Sequence, residues 1–454
     1  MTQLPIMSGM VVKDGSFAAS YPVNLEPRAL DTGVSKGQLV TTRGATSMGT
    51  GPGIDRGGID WNGTLYRVMG SSLVRVTSAG VTTTLGDVGS DGKRCGFDYS
   101  FDRLAVRSAG KLYYWNCTAL TLVTDTDLGT VLDVVWMGGY FVTTDGTSLV
   151  ATELLDPASI DPLKYGSAEE DPDGLTGVLK YNEELYGLGR YTIQAYQNVG
   201  GLNFPFQVIQ GATIPYGCIA ANAKCMVAGT FAFVGSGRNE PLGIFVLAGG
   251  TAGRISDKDI EALIAAEPDP TLIELEARKF GEESQIIMHL SAQSIGIALH
   301  TSGVADQGAW FVLQSGRFAP YRVRNAVLSY GKQWVGDTAS AALGVLSDSD
   351  AAHFGAMPDW QFDAALLYSG GGICLDEIEL VGQFPTVPTA IFLSLTRDGV
   401  QWSGEASRIL TGQRDERVVW RPAVRFPQLG SARWRGTGRV AIARAEMQAE
   451  QLMT

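Results

Sequence analysis

The chain has few of the residues on which most enzyme chemistry depends. It holds three histidines, His289, His300 and His353, and five cysteines among 454 residues. The histidines never pair at helical spacing, and none stands beside a ligand-spaced cluster of cysteines or carboxylates, so no metal centre is expected. His289 falls inside the apolar run Ile286-Ile287-Met288-His289-Leu290, which predicts a partly buried structural histidine on a strand. Cys95, Cys117, Cys218, Cys225 and Cys374 are odd in number, widely spaced and free of any C-x-x-C pair. That pattern argues against a disulfide framework and predicts small, buried, apolar side chains. Charge is scarce too: 18% of the residues are charged, against about 25% in an average protein. The net charge of -12 argues against a broad basic surface that grips nucleic acid. An acidic wall repels phosphate and would let a duplex slide past.

Long apolar runs are missing as well. No window approaches the roughly 18 residues of a membrane-spanning helix, so no membrane insertion is expected. Met1-Thr2-Gln3-Leu4-Pro5-Ile6-Met7 has neither the charged start nor the apolar stretch of a signal peptide. The expectation is synthesis in a reducing cytoplasm. Nucleotide and hydrolase signatures are equally absent: there is no P-loop and no G-x-S-x-G elbow, and spacing nominates no Ser-His-Asp set. Gly51-Pro52-Gly53-Ile54-Asp55-Arg56-Gly57 carries a proline, follows no strong strand and opens no helix, which argues against a dinucleotide loop. No catalytic, cofactor-binding or metal-binding residue is therefore nominated, and no cofactor is expected.

What is present is glycine and short strands. The 57 glycines far exceed the roughly 7% of average composition. With 45% hydrophobic residues and no low-complexity run, this describes an ordered, turn-rich β protein. One unit keeps returning: an apolar-alternating stretch, a glycine turn, another such stretch. Trp61-Asn62-Gly63-Thr64-Leu65-Tyr66-Arg67-Val68 followed by Ser72-Leu73-Val74-Arg75-Val76 is its clearest copy. One hairpin cannot bury its apolar face alone, whereas several around an axis can, which is the logic of a β-propeller. Strand-rich segments begin near Gly58, Arg94, Asp133, Gly177, Gly217, Ala277 and Tyr321, and six or seven blades fit them best.

The expected organisation is an extended N-terminal arm over 1–57, a propeller over 58–358 and a smaller β-sandwich over 359–454. The arm, punctuated by Pro5, Pro22, Pro27 and Pro52, would close the ring or reach a neighbour. One helix is predicted over 254–266, with a capping serine and a place on a blade edge. The last domain concentrates arginine (Arg408, Arg414, Arg417, Arg421, Arg425, Arg433, Arg435, Arg439 and Arg444) and reads as the only basic concentration in an acidic chain.

Two carboxylate patterns invite a catalytic reading. Asp156, Asp161, Asp171 and Asp173 crowd one stretch, near Tyr165 and Tyr181, and paired carboxylates can work on a sugar. Asp-Pro and Asp-Gly are also ordinary turn formers, and that reading is preferred. Thr396-Arg397-Asp398-Gly399-Val400-Gln401-Trp402 resembles the Asp-box hairpin of sialidase blades but is one residue short and occurs once; it is read as a hairpin with an Asp-Gly turn.

An ordered set of segments carries a family resemblance. It comprises Gln3-Leu4-Pro5-Ile6-Met7-Ser8-Gly9-Met10, Tyr21-Pro22-Val23-Asn24-Leu25, Arg56-Gly57-Gly58, Leu65–Leu73, Thr144–Ser148, Glu153–Pro157, Asp161–Glu169, Pro172-Asp173-Gly174, Gly189–Tyr196, Leu393–Gly399 and Asp415–Arg421. Together they resemble the packaged-DNA stabilisation protein, the tail hub or head-completion protein, of short-tailed bacteriophages. The resemblance implies a virion tail protein without catalytic residues, assembled in the host cytoplasm. It implies a homohexameric ring below the portal and its adaptor that seals the DNA channel, holds a needle or plug and carries fibres or tailspikes. Genomic double-stranded DNA would pass the lumen without sequence recognition. A carbohydrate-binding or -cleaving propeller of a phage tail is the alternative, and another virion β-protein, such as a nozzle or fibre adaptor, is a third reading.

Overall fold

Asn62 and Gly63 show how the repeating unit is made. In the computed structural model, which describes residues 2–7, 9–13, 15–29, 35, 37–154, 156–167, 173–201, 203–281, 283–299, 305–413 and 416–451, both residues take positive φ, 51° and 71°. That is the turn whose twist matches two antiparallel strands. It joins Asp55–Trp61 to Thr64–Met69, and Ser72–Val76 and Thr82–Asp87 complete a four-stranded meander. The second strand is buried on both faces, because each blade is covered by a neighbour on either side.

Seven such sheets follow one another. Their first strands begin at Asp55, Gly96, Asp133, Leu175, Gly217, Glu274 and Val323, within a few residues of the expected starts. The last sheet lacks a fourth strand of its own. Gly44–Thr50 supplies it, pairing antiparallel with Ala342–Ser347 from Thr50↔Ala342 to Gly44↔Ser347. Val323–Ser329 returns to Asp55–Trp61, so the ring is closed. Because Gly44–Thr50 leads directly into the first blade, its ladder to Ala342–Ser347 ties the end of the ring to its start. The architecture is all-β, a seven-bladed propeller followed by a β-sandwich.

The strands of the extended N-terminal segment fall in three sheets, and one of them closes the ring; Gly9–Lys13 and Ser16–Ser20 pair as a hairpin of their own. Gly44–Thr50 belongs to the seventh blade. Thr2–Leu4, Leu25–Ala29 and Gly37–Thr41 join the C-terminal domain, where they extend a sheet built on Ile373–Gln383 and Ala441–Gln451. The facing sheet contains Asp359–Asp363, Leu429–Thr437, Thr389–Thr396 and Ala406–Leu410. Between them lies one core, in which Leu4, Leu25 and Leu39 from the N-terminus pack with Trp360, Phe362, Trp420 and Trp434. The prolines and glycines of this stretch suggested an extended arm because its pairing partners lie hundreds of residues away.

The helix is shorter than expected, Lys258–Ala265, and its cap is Asp257 rather than the serine before it. Asp257 Oδ1 accepts from the amides of Asp259 (3.0 Å) and Ile260 (2.9 Å). Ser256 Oγ accepts from the Ile244 amide instead and donates to Glu261. The helix lies on the fifth blade, with Ile260 and Ile264 buried.

Candidate functional site

In a propeller, ligands and passages are sought at the axis, where the first strands of all blades converge. Here side chains bridge that axis. Arg94 donates to the Leu275 carbonyl (2.8 Å), Leu275 donates its amide to the Asn222 carbonyl (2.9 Å), and the Asn222 side-chain amide reaches the Arg94 carbonyl (3.4 Å). These residues come from the second, sixth and fifth blades. On the other side Asp133 of the third blade pairs with Lys224 of the fifth and accepts from the Val178 amide of the fourth (3.0 Å). A cleft of about 350 Å³ remains there, bordered by Asp98, Asp133, Lys180 and Lys224.

Two buried ionic clusters tie the seventh blade to its neighbours. Arg67 holds Asp55 in a two-pronged contact of 2.6 and 2.7 Å, both side chains being 0% exposed, and Asn325 donates to the same carboxylate (2.8 Å). Glu276 accepts from Arg278 (2.6 Å) and from the Asn325 amide (2.6 Å), and His289 Nε2 lies 3.3 Å away. Burial would raise the Glu276 carboxyl, but Arg278 and His289 outweigh it and hold it well below the carboxylate range. Burial lowers His289 to about 4, so the ring is neutral at pH 7. Its Nδ1 lies 2.7 Å from Ser294 Oγ. His289 thus sits inside a structural network. The one sequence signal was the lone charge of Leu65-Tyr66-Arg67-Val68 in an otherwise apolar strand, and nothing in the pattern named its partner.

The carboxylates considered for sugar chemistry do not converge. Asp156 accepts from the Ala158 amide (3.3 Å) and Asp161 from the Leu163 amide (2.9 Å), each capping its own turn. Asp173 binds the Thr192 amide (3.0 Å) in a different blade. Tyr165 donates to the Asp127 carbonyl, and Tyr181 packs on Tyr186 and Phe231. Asp171, His300 and Arg414 lie outside the described residues. Among the described residues no group of three His, Cys, Asp or Glu side chains could hold a metal ion, and no helix is long and apolar enough to cross a membrane. The cysteines depart from expectation at Cys117, which is exposed, and at Cys225 and Cys374, which are half-buried; Cys95 and Cys218 are buried.

The seam between the domains is the second place where the structure concentrates specific contacts. Val23 bridges Gln361 of the sandwich and Val312 of the sixth blade. Asn24, at φ 53°, donates to the Asp359 carbonyl (2.7 Å) and accepts from the Gln314 amide (3.0 Å). Tyr21 donates to Asp257 (2.7 Å) and the Ala19 amide to Asp259 (2.8 Å), while Ser20 reaches Asp363 (2.6 Å). Gln285 of the sixth blade donates to Glu26 (2.6 Å). Burial pushes the Glu26 carboxyl up to about 7, with the Glu283 carboxyl beside it adding to the rise and Arg28 opposing it. Burial would raise Glu283 also, but a hydrogen bond from Glu26 and the guanidinium groups of Arg28 and Arg43 bring it below its ordinary value. Below about pH 7 the pair therefore holds one proton, on Glu26.

The arginines of the last domain, expected to form a basic surface, are largely neutralised within it. Arg417 pairs with Glu379 (2.5 Å), Arg421 with Glu377 (2.9 Å), Arg433 with Asp363 (2.6 Å), and Arg435 with both Asp359 (2.9 Å) and Glu405 (2.7 Å).

A closed propeller with a bridged axis, strapped to a β-sandwich by its own N-terminal segment, is the architecture of this chain. Residues 2–351 match the family model described as "Bacteriophage P22 Gp10, beta-propeller" and residues 359–450 the one described as "Bacteriophage P22 Gp10, beta-sandwich". The chain belongs to this family of phage structural proteins and is a virion component. No curated protein matches it. Among solved structures it is similar to the N-terminal domain of Nup159 (10% identity, TM-score 0.42, covering 73% of this chain and 99% of that one). It is also similar to the computationally designed Ika8 protein (8%, 0.40, 66% and 99%) and to the Neurospora crassa Pan2 WD40 domain (9%, 0.39, 69% and 98%). These scores are too low to carry an argument.

Proposed function

We propose that the chain is the tail hub of a short-tailed phage, a subunit of a homohexameric ring below the portal and its adaptor that seals the DNA channel after packaging. The single observation behind this reading is the match of both domains, in order, to one phage tail family. The bridged axis supports it and refines it: no duplex threads an axis crossed by Arg94, Asn222 and Leu275, so the genome passes through the lumen between subunits. One closed interface repeated around a symmetry axis builds such a lumen from a single chain. The strapped seam keeps propeller and sandwich in fixed relation, which suits a part that bears load and anchors a needle, fibres or tailspikes. The virion tail is the corresponding location, with assembly in the host cytoplasm.

Negative-stain microscopy of the purified chain, alone and with the adaptor ring, tests this. Six-fold rings in either sample are the expected result. A monomer that ignores the adaptor refutes the proposal.

A further inference from the structure

The Asp-Gly hairpin at residues 396–402 forms one wall of a cleft that the tail role leaves unused. Asp398 Oδ1 accepts from the amides of Val400 (2.9 Å) and Gln401 (2.8 Å) and from Thr396 Oγ1 (3.0 Å), and Gly399 takes φ 75°. The hairpin is held from behind, where Val12 of the N-terminal hairpin donates its amide to the Gly399 carbonyl (3.0 Å). In front lies a cleft of about 400 Å³, bordered by Arg397, Asp398, Gln401, Trp402, Val424 and Phe426. That volume falls within the range of small-ligand sites, roughly 300–1,000 Å³.

Trp402 is clamped. The Arg433 guanidinium lies 3.9 Å from the centre of its ring, and Arg433 is itself fixed by two contacts to Asp363 of 2.6 and 2.7 Å. One indole face is thus occupied by Arg433, and the ring also borders the cleft. The ring is half-buried and cannot turn away without breaking the cation–π contact. Around it stand polar groups with capacity left over. Arg397 and the Gln401 amide have no partner among the described residues. The backbone hydrogen bonds of Asp398 lower its pKa, so it is a carboxylate at neutral pH with lone pairs still open to hydroxyl donors. The Arg397 cation and the Asp398 anion balance, so the site favours no net charge.

We infer that this cleft binds a neutral hexopyranose. A fixed aromatic face receives the apolar C–H face of a sugar ring. A guanidinium, a carboxylate and an amide at its rim match vicinal hydroxyl groups, which donate to Asp398 and accept from Arg397 and Gln401. A protein anchor would be a single apolar side chain, which would leave all three polar groups without use. The site stands apart from the carboxylates of the propeller, and the inference does not rest on the ring reading.

Saturation-transfer NMR with the methyl glycosides of glucose, galactose and mannose on the full-length chain provides the test. At least one binds the wild type, and Trp402→Ala weakens it by about tenfold, the loss expected for a stacked aromatic contact. Gln401→Ala, an exposed change that leaves the core intact, weakens it less but measurably. Binding unchanged in Trp402→Ala overturns the assignment. So does absence of transfer from all three sugars to a wild type with an intact thermal transition.

Discussion

The two domains differ in where their most buried arginine pairs sit, for among the described residues only the propeller holds pairs in which both partners are out of solvent. In the propeller two ion pairs are fully interior, Arg67 with Asp55 and Arg278 with Glu276, all at most 4% exposed, while others such as Arg103 with Asp102 lie at its surface. In the sandwich they decorate the surface, where Arg421 and Arg417 remain 74% and 61% exposed beside Glu377 and Glu379. The reason lies in how each domain is filled. Two sheets face to face make one continuous apolar layer, here Trp360, Phe362, Trp420 and Trp434 with their neighbours, and leave charge outside. A ring of blades has apolar cores between blades and a crowded axis where strand starts meet, and polar groups there must satisfy one another. Fully buried arginine pairs therefore lock geometry between blades, whereas those of the sandwich lie around its apolar layer and keep at least part of the guanidinium in solvent.

The comparison is broken most directly at Arg67. Arg67→Met leaves the Asp55 carboxylate buried without its partner, and should cost about 3–5 kcal/mol, read as a lower unfolding midpoint. A loss near zero would mean that the axial pairs are no more structural than the surface ones. The seam comes next. The raised pKa of Glu26 means that its contribution is complete below its ordinary value near 4.5 and is lost as pH rises through about 7. Glu283, held low, contributes in the opposite sense, and its share fades only as pH falls below its ordinary value. Between those limits the seam should therefore loosen with rising pH. Glu26→Gln, which keeps a hydrogen-bonding group at the position, should flatten the dependence of thermal stability on pH from 5 to 7; an unchanged slope would assign it elsewhere. Arg421→Ala should have the smallest effect, a melting transition indistinguishable from wild type, because a solvent-screened pair contributes little. A clear destabilisation there would show that the sandwich surface is a coupled network.

Much of the propeller could be read directly from the chain. Asn62-Gly63 and Gly138-Gly139 announce hairpins by local chemistry, and apolar runs such as Leu112-Tyr113-Tyr114-Trp115 announce strands covered on both faces. Such signals need no knowledge of partners, which is why the blade starts were legible. The N-terminal residues were not. Gly44-Ala45-Thr46-Ser47 carries little strand propensity and becomes a strand because Ala342–Ser347 offers an unpaired edge. Leu25 and Leu39 look like stray apolar residues until the sandwich core surrounds them. The helix cap was misplaced for a related reason: Ser256 and Asp257 are equally good caps by type, and the Ile244 amide, from a neighbouring strand, claimed the serine.

At the candidate sites the division is similar. Turn chemistry alone identified Asp156, Asp161 and Asp398 as hairpin and loop formers, since an Asp side chain caps amides two or three residues on. Local sequence thus determined the repeat, the turns and the two-domain order, because those depend on interactions between near neighbours in the chain. Only the tertiary structure decided that the axis is bridged, that the first fifty residues are shared between both domains, and that Trp402 is pinned beside free polar groups. Each of these depends on which distant strand offers an edge, a charge or a ring face. That information is spread over residues hundreds of positions apart and takes effect only when the sheets close.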